Sequence, residues 1–193
     1  MELIAITGGI GSGKSVVATM VKVMGFDVYD CDSRARALMT EDADVRRQLV
    51  DTFGEQVYLN DGSINRQYLS EVAFRDDKAL ARLNAIVHPA TASDMKRWAA
   101  RQMDDGATAA FVETALLRTA GLDREVDRVW HVTAPDDVRV ARVMARSGLS
   151  DGQVRERMAA QAVEDSIADG EHVIINDNKA AVLPQVIRLL KEI

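Results

Sequence analysis

Several features are scarce or missing in this chain, and each absence narrows its class. Only one of the 193 residues is a cysteine, Cys31, so no disulfide can form within the chain and a reducing compartment is expected. No apolar run approaches the roughly 20 residues that a membrane span needs. The start of the sequence shows no basic segment followed by an apolar core and a cleavage site. We therefore expect a cytoplasmic protein with no membrane partner.

The chain also has fewer positively charged than negatively charged side chains. The chain has 24 Lys and Arg residues against 30 Asp and Glu residues, a formal net charge of −6. A broad nucleic-acid-binding surface is therefore not expected, and any anionic ligand must be met by local clusters of Lys and Arg. With only three prolines and no repeat or flexible linker, the length suits one domain with insertions.

A glycine-rich segment near the start of the chain carries the strongest functional signal. Residues 8–15 read Gly-Gly-Ile-Gly-Ser-Gly-Lys-Ser, after an apolar run at 3–6 and before a helical apolar pattern at 16–24. This order of strand, loop and helix is the one that a phosphate-binding P-loop needs. Glycines let consecutive N–H groups turn toward one anion, and the helix N-terminus adds partial positive charge. Lys14 can then reach the β- and γ-phosphates of a nucleotide, and the Ser15 hydroxyl can ligate Mg²⁺.

A second short strand, at 26–29, ends in Asp30-Cys31-Asp32. Strand, loop, helix and strand predict a right-handed βαβ unit, whose ligands lie beyond the carboxyl ends of the strands. We expect Asp30 to face Mg²⁺ or its waters, and Asp32 to face an acceptor hydroxyl whose proton it can take. The alternative for Asp32 is to cap a helix that begins near Ser33. Cys31 is expected to be inert packing.

The rest of the pattern predicts an α/β, P-loop NTPase fold with a five-stranded parallel sheet flanked by helices. Residues 33–105 read as almost entirely helical and form a helical substrate-binding insertion, in which Pro89 should kink or break the helix. Predicted strands lie at 3–7, 26–29, 109–113, 129–132 and 173–175, and further helices at 14–24, 135–146, 151–163 and 179–191. The expected core comprises 1–32, 106–138 and 168–193, with a lobe at 33–105 and a lid at 139–167.

Three arginines identify the predicted lid. Arg139, Arg142 and Arg146 share one face of the helix at 135–146, which ends at a Ser-Gly break. Such a helical hairpin can fold over bound phosphates, exclude water and bring guanidinium charge to the transferring group. A solvated charged face is the alternative.

Two further side chains, Glu113 and His88, each permit two interpretations. Glu113 ends an apolar run, where it could be a Mg²⁺-associated acid or an N-cap. His88 could be a core histidine or a polar group that lines the helical lobe. His131 and His172 have no metal-ligand spacing with any Cys or His, so no zinc site is proposed.

Motifs along nearly the whole chain resemble those of the dephospho-coenzyme A kinase family, P-loop kinases related to the nucleoside monophosphate kinases. The run from Thr7 to Ser15, the Asp-x-Asp at 30–32 and the His-Pro at 88–89 carry most of the resemblance. Further matches are Phe53-Gly54, Asp61-Gly62, Arg66, Leu69, Arg142, Arg146, Gln161, Val173-Ile174 and Asn176.

The resemblance implies a specific reaction and a set of roles. It implies transfer of the ATP γ-phosphoryl group to the ribose 3′-hydroxyl of dephospho-CoA, with Mg²⁺, by a monomer or small homo-oligomer. The implied catalytic residues are Asp32, Lys14 and Arg142. The implied ATP-binding residues are Gly9, Gly11, Ser12, Gly13, Lys14, Ser15, Val16, Arg142 and Asn176. The implied acceptor-binding residues are Thr7, Asp32, Arg66, His88 and Arg146, and the implied metal ligands are Ser15 and Asp30.

The sequence departs from the family pattern in three places. The family usually has Pro-Leu-Leu-Phe-Glu where residues 115–119 read Ala-Leu-Leu-Arg-Thr. It often has Arg, Ala and Asp where residues 169–171 read Asp-Gly-Glu. Val16 stands where Thr is more usual, which removes one α-phosphate contact. No role carries over to the first two stretches.

Two other functions fit a P-loop. One is a related kinase for a nucleotide, a nucleoside or a shikimate-like acceptor. The other is a regulatory GTPase, which should carry Asn-Lys-x-Asp for guanine. The run Asn176-Asp177-Asn178-Lys179 has the wrong order.

Overall fold

The computed structural model describes residues 1–73 and 76–193. This chain divides into two compact units, one formed by Met1–Asp30 and Trp98–Ile193 and the other by Cys31–Arg97. Throughout the described ranges, each helix is too short or too polar to cross a lipid bilayer.

The first unit is built on a five-stranded parallel sheet. Its strands are β1 (Glu2–Thr7), β2 (Val28–Asp30), β3 (Ala109–Glu113), β4 (Arg128–Thr133) and β5 (His172–Ile175), in the order β2-β3-β1-β4-β5. The helices of the chain are α1 (Lys14–Val23), α2 (Cys31–Glu41), α3 (Ala43–Phe53), α4 (Arg66–Ala73), α5 (Asp77–Asp104), α6 (Asp136–Ser147), α7 (Asp151–Ala160), α8 (Ala162–Asp165) and α9 (Val182–Leu190). The predicted α/β P-loop fold with five parallel strands is confirmed.

The sheet core explains why β1 can hold a loop rigidly. Ile4 and Ile6 of this central strand are fully buried and pack in one cluster with side chains of α1 and α9. Phe111 of β3 meets Trp130 of β4 edge to face, with ring centroids 5.0 Å apart. Strands covered on both faces are continuously apolar, as the sequence pattern of β1 and β3 indicates.

The strand register brings polar residues to the carboxyl edge of the sheet. Glu113, at the end of β3, is aligned with Asp30 of β2 on one side and with Ile6 of β1 on the other. Thr7, the last residue of β1, is aligned with His131 of β4. The P-loop therefore leaves the sheet at the edge that carries Asp30 and Glu113. Of the two aspartates that the βαβ argument predicts there, the strand register places Asp30.

The second unit is helical and has its own core. Val45, Leu49 and Phe53 of α3 pack with Leu69 of α4 and with Ile86 of α5. Two tyrosines tie its turns by donating to backbone carbonyls: the Tyr58 hydroxyl to Met39 and the Tyr68 hydroxyl to Phe53. Asp42 caps α3 by accepting hydrogen bonds from the N–H groups of Asp44 and Val45.

Several boundaries differ from the sequence prediction. The second strand begins at Val28 instead of residue 26, and α2 begins at Cys31. Asp32 therefore lies inside the first turn of α2, and the interpretation as an N-cap is wrong. The helix predicted at 151–163 ends at Ala160, with α8 as a separate short turn.

Of the kink or break predicted at Pro89, the break does not occur, because α5 continues through this residue. The Pro89 ring is exposed, whereas the preceding Ile86 and Val87 are each only 9% exposed. Packing of this apolar face outweighs the loss of one helical N–H, which proline cannot supply.

Candidate active site

The P-loop joins β1 to α1 through glycines in an unusual conformation. Gly8, Gly11 and Gly13 have φ values of 137°, 79° and 98°, a region that favours glycine. A Cβ on Gly8 would lie 2.1 Å from the Val132 carbonyl oxygen, and one on Gly13 would lie 2.1 Å from Asn176 Nδ2. The predicted order of strand, glycine loop and helix is therefore present, and close approach fixes the loop against β4 and the segment after β5.

Three side chains of this loop differ in their accessibility. Lys14 Nζ donates to the Gly8 carbonyl at 2.7 Å and to the Gly9 carbonyl at 3.3 Å, so its charge lies over the loop. Ser15 is exposed in the first turn of α1, whereas Ser12 is 1% exposed and its buried hydroxyl has no hydrogen-bond partner among the residues that the structure describes. Of these hydroxyls, only that of Ser15 is open to a ligand from solvent.

Val16 lies in the first turn of α1, with its N–H in the helical hydrogen bonding and its side chain at the surface. Its N–H donates to the Gly13 carbonyl at 3.0 Å, which begins the helical hydrogen bonding, and its side chain is 47% exposed. Thr7 is fully buried at the end of β1, and within the described part of the chain its hydroxyl has no hydrogen-bond partner. A direct contact between Thr7 and an acceptor therefore requires this edge to open.

Arg142 fastens the P-loop to the segment after β5. Its Nη1 lies 3.3 Å from the Gly11 carbonyl oxygen, and its Nη2 donates to the Asn176 carbonyl at 3.0 Å and to Asn176 Oδ1 at 3.1 Å. The Asn176 Nδ2 in turn donates to the Ser12 carbonyl at 2.8 Å. The sequence predicts that Arg142 and Asn176 belong to the nucleotide site, and both contact the P-loop directly.

The predicted arginine face of α6 does not exist as one exposed surface. Arg146 is exposed and Arg142 half-buried, but the Arg139 residue is only 6% exposed. Arg139 donates through Nε to the Ile10 carbonyl and through Nη2 to Asp165, each at 2.9 Å. The interpretation of Arg139 as part of a solvated face is wrong, because the helix turns this side chain onto the P-loop.

Carboxylates at the edge of the sheet are suitable ligands for a cation, but only a few of them lie there. Asp30 and Glu113 are half-buried on adjacent strand ends. Asp32 is exposed in the first turn of α2. Among the described residues no group of three or more His, Cys, Asp or Glu could hold a metal ion by itself. A hard cation here would therefore draw most of its oxygen ligands from a nucleotide and water.

A cavity of about 890 Å³ lies within the second unit. Its lining combines cationic, hydroxyl and apolar side chains: Arg36, Ala37, Met39, Thr40, Ser63, Ile64, Arg66, Leu69, Ser70, Ala73 and Leu83. Arg66, predicted to bind an acceptor, is one of them. His88 is half-buried in α5, and burial lowers its pKa.

A buried charged network connects the two stretches where the family pattern is not kept. Glu164 is 1% exposed and accepts hydrogen bonds from the backbone N–H groups of Arg118 and Thr119, at 3.1 and 2.8 Å. The Arg118 guanidinium pairs with Glu171, whose other oxygen lies 3.2 Å from His131 Nδ1. Burial lowers the pKa of His131, and the neighbouring Glu171 carboxylate opposes this shift without reversing it.

Sequence reasoning did not identify this network. The available signal was that both departures introduce charge, an arginine in the first stretch and acidic residues in the second. The opposite signs indicate that the two stretches compensate each other.

Comparison with known proteins decides the family. A sequence profile of the dephospho-CoA kinase family (CoaE) matches residues 2–182. The chain belongs to the dephospho-CoA kinase family. A dephospho-CoA kinase from Salinibacter ruber is 40% identical over 178 residues, covering 92% of this chain and 89% of the relative. One from Porphyromonas gingivalis is 36% identical over 195 residues, covering 100% and 95%.

A solved structure shares the fold of this chain over almost its whole length. The crystal structure of TT1252 from Thermus thermophilus superposes with a TM-score of 0.76 at 32% sequence identity. The match covers 99% of this chain and 95% of that one. The resemblance inferred from the P-loop, the Asp-x-Asp and the His-Pro motifs is therefore confirmed.

Proposed function

We propose that this protein transfers the γ-phosphoryl group of ATP to the ribose 3′-hydroxyl of dephospho-CoA, giving CoA and ADP. The observation that carries the proposal is the family match over residues 2–182, on a chain with a fully formed P-loop. In this reaction the bond from the γ-phosphorus to the β–γ bridging oxygen breaks. A bond from the 3′-oxygen to that phosphorus forms, and the hydroxyl proton passes to a base.

The donor half of the reaction belongs to the P-loop. Gly9, Gly11, Ser12, Gly13, Ser15 and Val16 would hold the ATP phosphates through the loop and the start of α1. Lys14 would exchange its carbonyl contacts for the β- and γ-phosphates and neutralise the charge that develops there. Arg142 and Asn176 would bind the same nucleotide from the neighbouring segment. Because the transition state is loose, positioning and charge supply most of the rate.

Mg²⁺ fits the donor set of this site. The exposed Ser15 hydroxyl and the Asp30 carboxylate are hard oxygen ligands, and Asp30 would act directly or through water. The ion would neutralise charge on the β- and γ-phosphates.

The acceptor half centres on Asp32, which would orient the 3′-hydroxyl and take its proton. Arg66, His88, Arg146 and Thr7 are the other residues that we propose for binding the acceptor. Residues 139–167 would act as a lid that excludes water and prevents transfer of the phosphoryl group to it. We expect the enzyme to work in the cytoplasm as a monomer or small homo-oligomer.

The helical cavity suits the pantetheine arm of dephospho-CoA. At about 890 Å³ it falls in the usual range for small-molecule sites. Ile64, Leu69 and Leu83 supply apolar surface for the methylene and dimethyl groups. The exposed Arg36 and Arg66 suit the diphosphate that precedes the arm.

Filling this cavity tests the acceptor assignment. Ser70→Trp adds a large side chain at an exposed lining position of α4. We expect KM for dephospho-CoA to rise about tenfold or more, with ATP affinity unchanged. Glu71→Trp, at the neighbouring exposed position that does not line the cavity, is the control. An unchanged KM in a folded Ser70→Trp protein would exclude this cavity as the acceptor site.

The reaction itself is tested by mass spectrometry of purified protein with ATP, Mg²⁺ and dephospho-CoA. We expect the acceptor to gain one phosphoryl group, and Lys14→Ala to lose at least about 10²-fold of that activity while it remains folded. Nucleosides, nucleotides and shikimate serve as competing acceptors, with ADP as the common readout. Preferred phosphorylation of one of them would replace dephospho-CoA in the proposal. Nucleotide binding without any phosphorylated acceptor would favour a regulatory role.

A further inference from the structure

The Ile10 peptide of the P-loop is held from both sides by side chains of the same unit. Its N–H donates to Gln161 Oε1 at 2.9 Å, and its carbonyl accepts from Arg139 Nε at 2.9 Å. Gln161 directly follows α7, and Arg139 belongs to α6. Both polar groups of this peptide therefore have protein partners, which fixes the middle of the glycine-rich segment.

Arg139 is in turn held by a carboxylate. Its Nη2 lies 2.9 Å from Asp165 Oδ2, and the arginine side chain is 7% exposed. Asp136 is farther away, at 3.6 Å, and its side chain is 69% exposed, so it contributes little. A buried guanidinium that loses its counter-charge is strongly unfavourable. Asp165 therefore decides how Arg139 is oriented toward the loop.

Gly9 shows how closely this ion pair approaches the loop. Its φ lies outside the left-handed range that Gly8, Gly11 and Gly13 occupy, so its backbone conformation does not itself require glycine. A Cβ on Gly9 would lie 1.9 Å from Asp165 Oδ1 and 2.2 Å from Arg139 Nη2. The ion pair, and not the backbone, excludes a side chain at this position.

We propose that the Arg139–Asp165 pair positions the Ile10 peptide and thereby sets the affinity of the P-loop for the nucleotide phosphates. Arg139 is a positioning residue, which acts through the loop and not on the reacting groups. The inference rests on the proposed function in that the loop binds ATP.

Arg139→Gln tests the proposal. It removes the charge and the guanidinium fork, so the Ile10 carbonyl loses its fixed donor. We expect Kd for ATP to rise about tenfold, while KM for dephospho-CoA stays within about twofold. For Arg139→Lys, which keeps the charge, we expect a Kd for ATP between those of the wild-type protein and Arg139→Gln. A merely structural role would not separate the two substrates.

Arg128→Gln is the matched control. Arg128 forms an ion pair with Glu2 at 2.7 Å, both side chains being 24% exposed, at the amino ends of β4 and β1. This pair lies in the same sheet unit, at the opposite edge from the P-loop. We expect its loss to leave both substrate affinities within about twofold, even if the melting temperature falls.

Gly9→Ala gives a second measurement that does not alter the pair chemically. The new methyl group should displace the flexible ends of Arg139 and Asp165, so ATP binding should weaken to a similar extent as in Arg139→Gln. Because both changes disrupt one contact, the double variant should bind ATP about as well as either single variant. Where Arg139→Gln does not fold, Asp165→Asn, which keeps an acceptor oxygen, is used with Gly9→Ala in the same way.

The outcomes separate this inference from the proposed function. Unchanged ATP affinity in the variants overturns the positioning role, as does equal weakening for both substrates or additive effects of the two changes. If wild-type protein makes CoA in any of these cases, the proposed function stands alone. If wild-type protein makes no CoA but Arg139→Gln still weakens ATP binding, the positioning role stands and the proposed function fails.

Discussion

Asp32→Asn is expected to lower kcat by about 10²- to 10⁴-fold while ATP affinity stays within about twofold. The amide keeps the size and some of the hydrogen-bonding capacity of the carboxylate but cannot accept the hydroxyl proton at neutral pH. Asp32 is exposed in the first turn of α2, so the loss of its charge should lower the free energy of unfolding by no more than about 1 kcal/mol, through the helix dipole. A loss of turnover would therefore report chemistry and not stability.

The measurement is steady-state turnover with saturating dephospho-CoA, together with ATP binding by calorimetry. Asp44→Asn is the matched control, because Asp44 is also exposed in the first turn of a helix, α3, in the same unit. Its ion pair with Arg47 is exposed, with side chains 72% and 68% accessible, so little change is expected. Full turnover in a folded Asp32→Asn protein would remove Asp32 from the role of base.

The sheet and the P-loop could be predicted because their signals are local. An apolar run such as residues 3–6 leaves few alternatives to a buried parallel strand. Consecutive glycines followed by Lys14 and Ser15 leave few alternatives to a phosphate loop. Boundaries were less certain, since the shift of the second strand to Val28 and of α2 to Cys31 depends on packing.

The burial of Arg139 against the P-loop could not be predicted from the sequence, for a different reason. The spacing of Arg139, Arg142 and Arg146 predicts only that the three side chains share one face of a helix. Which part of that face is buried depends on Asp165 and Ile10, and Ile10 lies more than a hundred residues away in the chain. The same holds for Glu164, whose amide partners Arg118 and Thr119 are distant in sequence.

The identity of the acceptor came from motifs spread along the chain and not from the loop. Physical reasoning on residues 8–15 alone reaches a held triphosphate and no further. The Asp-x-Asp at 30–32 adds the proposed base, and the His-Pro at 88–89 adds specificity to the family assignment. The cavity in the helical unit was not predicted, because its lining residues come from separate helices and a turn.

Gly8→Ala is expected to destabilise the protein by about 3–5 kcal/mol and to abolish measurable ATP binding. At a φ of 137° an alanine is strained, and its Cβ would lie 2.1 Å from the Val132 carbonyl oxygen. That oxygen belongs to β4, which is paired on both sides by β1 and β5, so the backbone cannot move aside without disturbing the sheet. The P-loop must shift instead, and with it the amides and Lys14 that are proposed to bind the phosphates.

Gly25→Ala separates the close contact from the backbone strain. Gly25 also has a positive φ, 94°, but nothing lies within 4 Å of a Cβ added there. Replacing Gly25 by alanine should lower the free energy of unfolding only by the cost of backbone strain, about 1–2 kcal/mol, and should leave ATP binding intact. Urea unfolding of both variants gives the difference, which we attribute to the contact with β4. Equal losses of stability would mean that backbone strain alone requires Gly8, and retained ATP binding would mean that the loop can shift without losing its function.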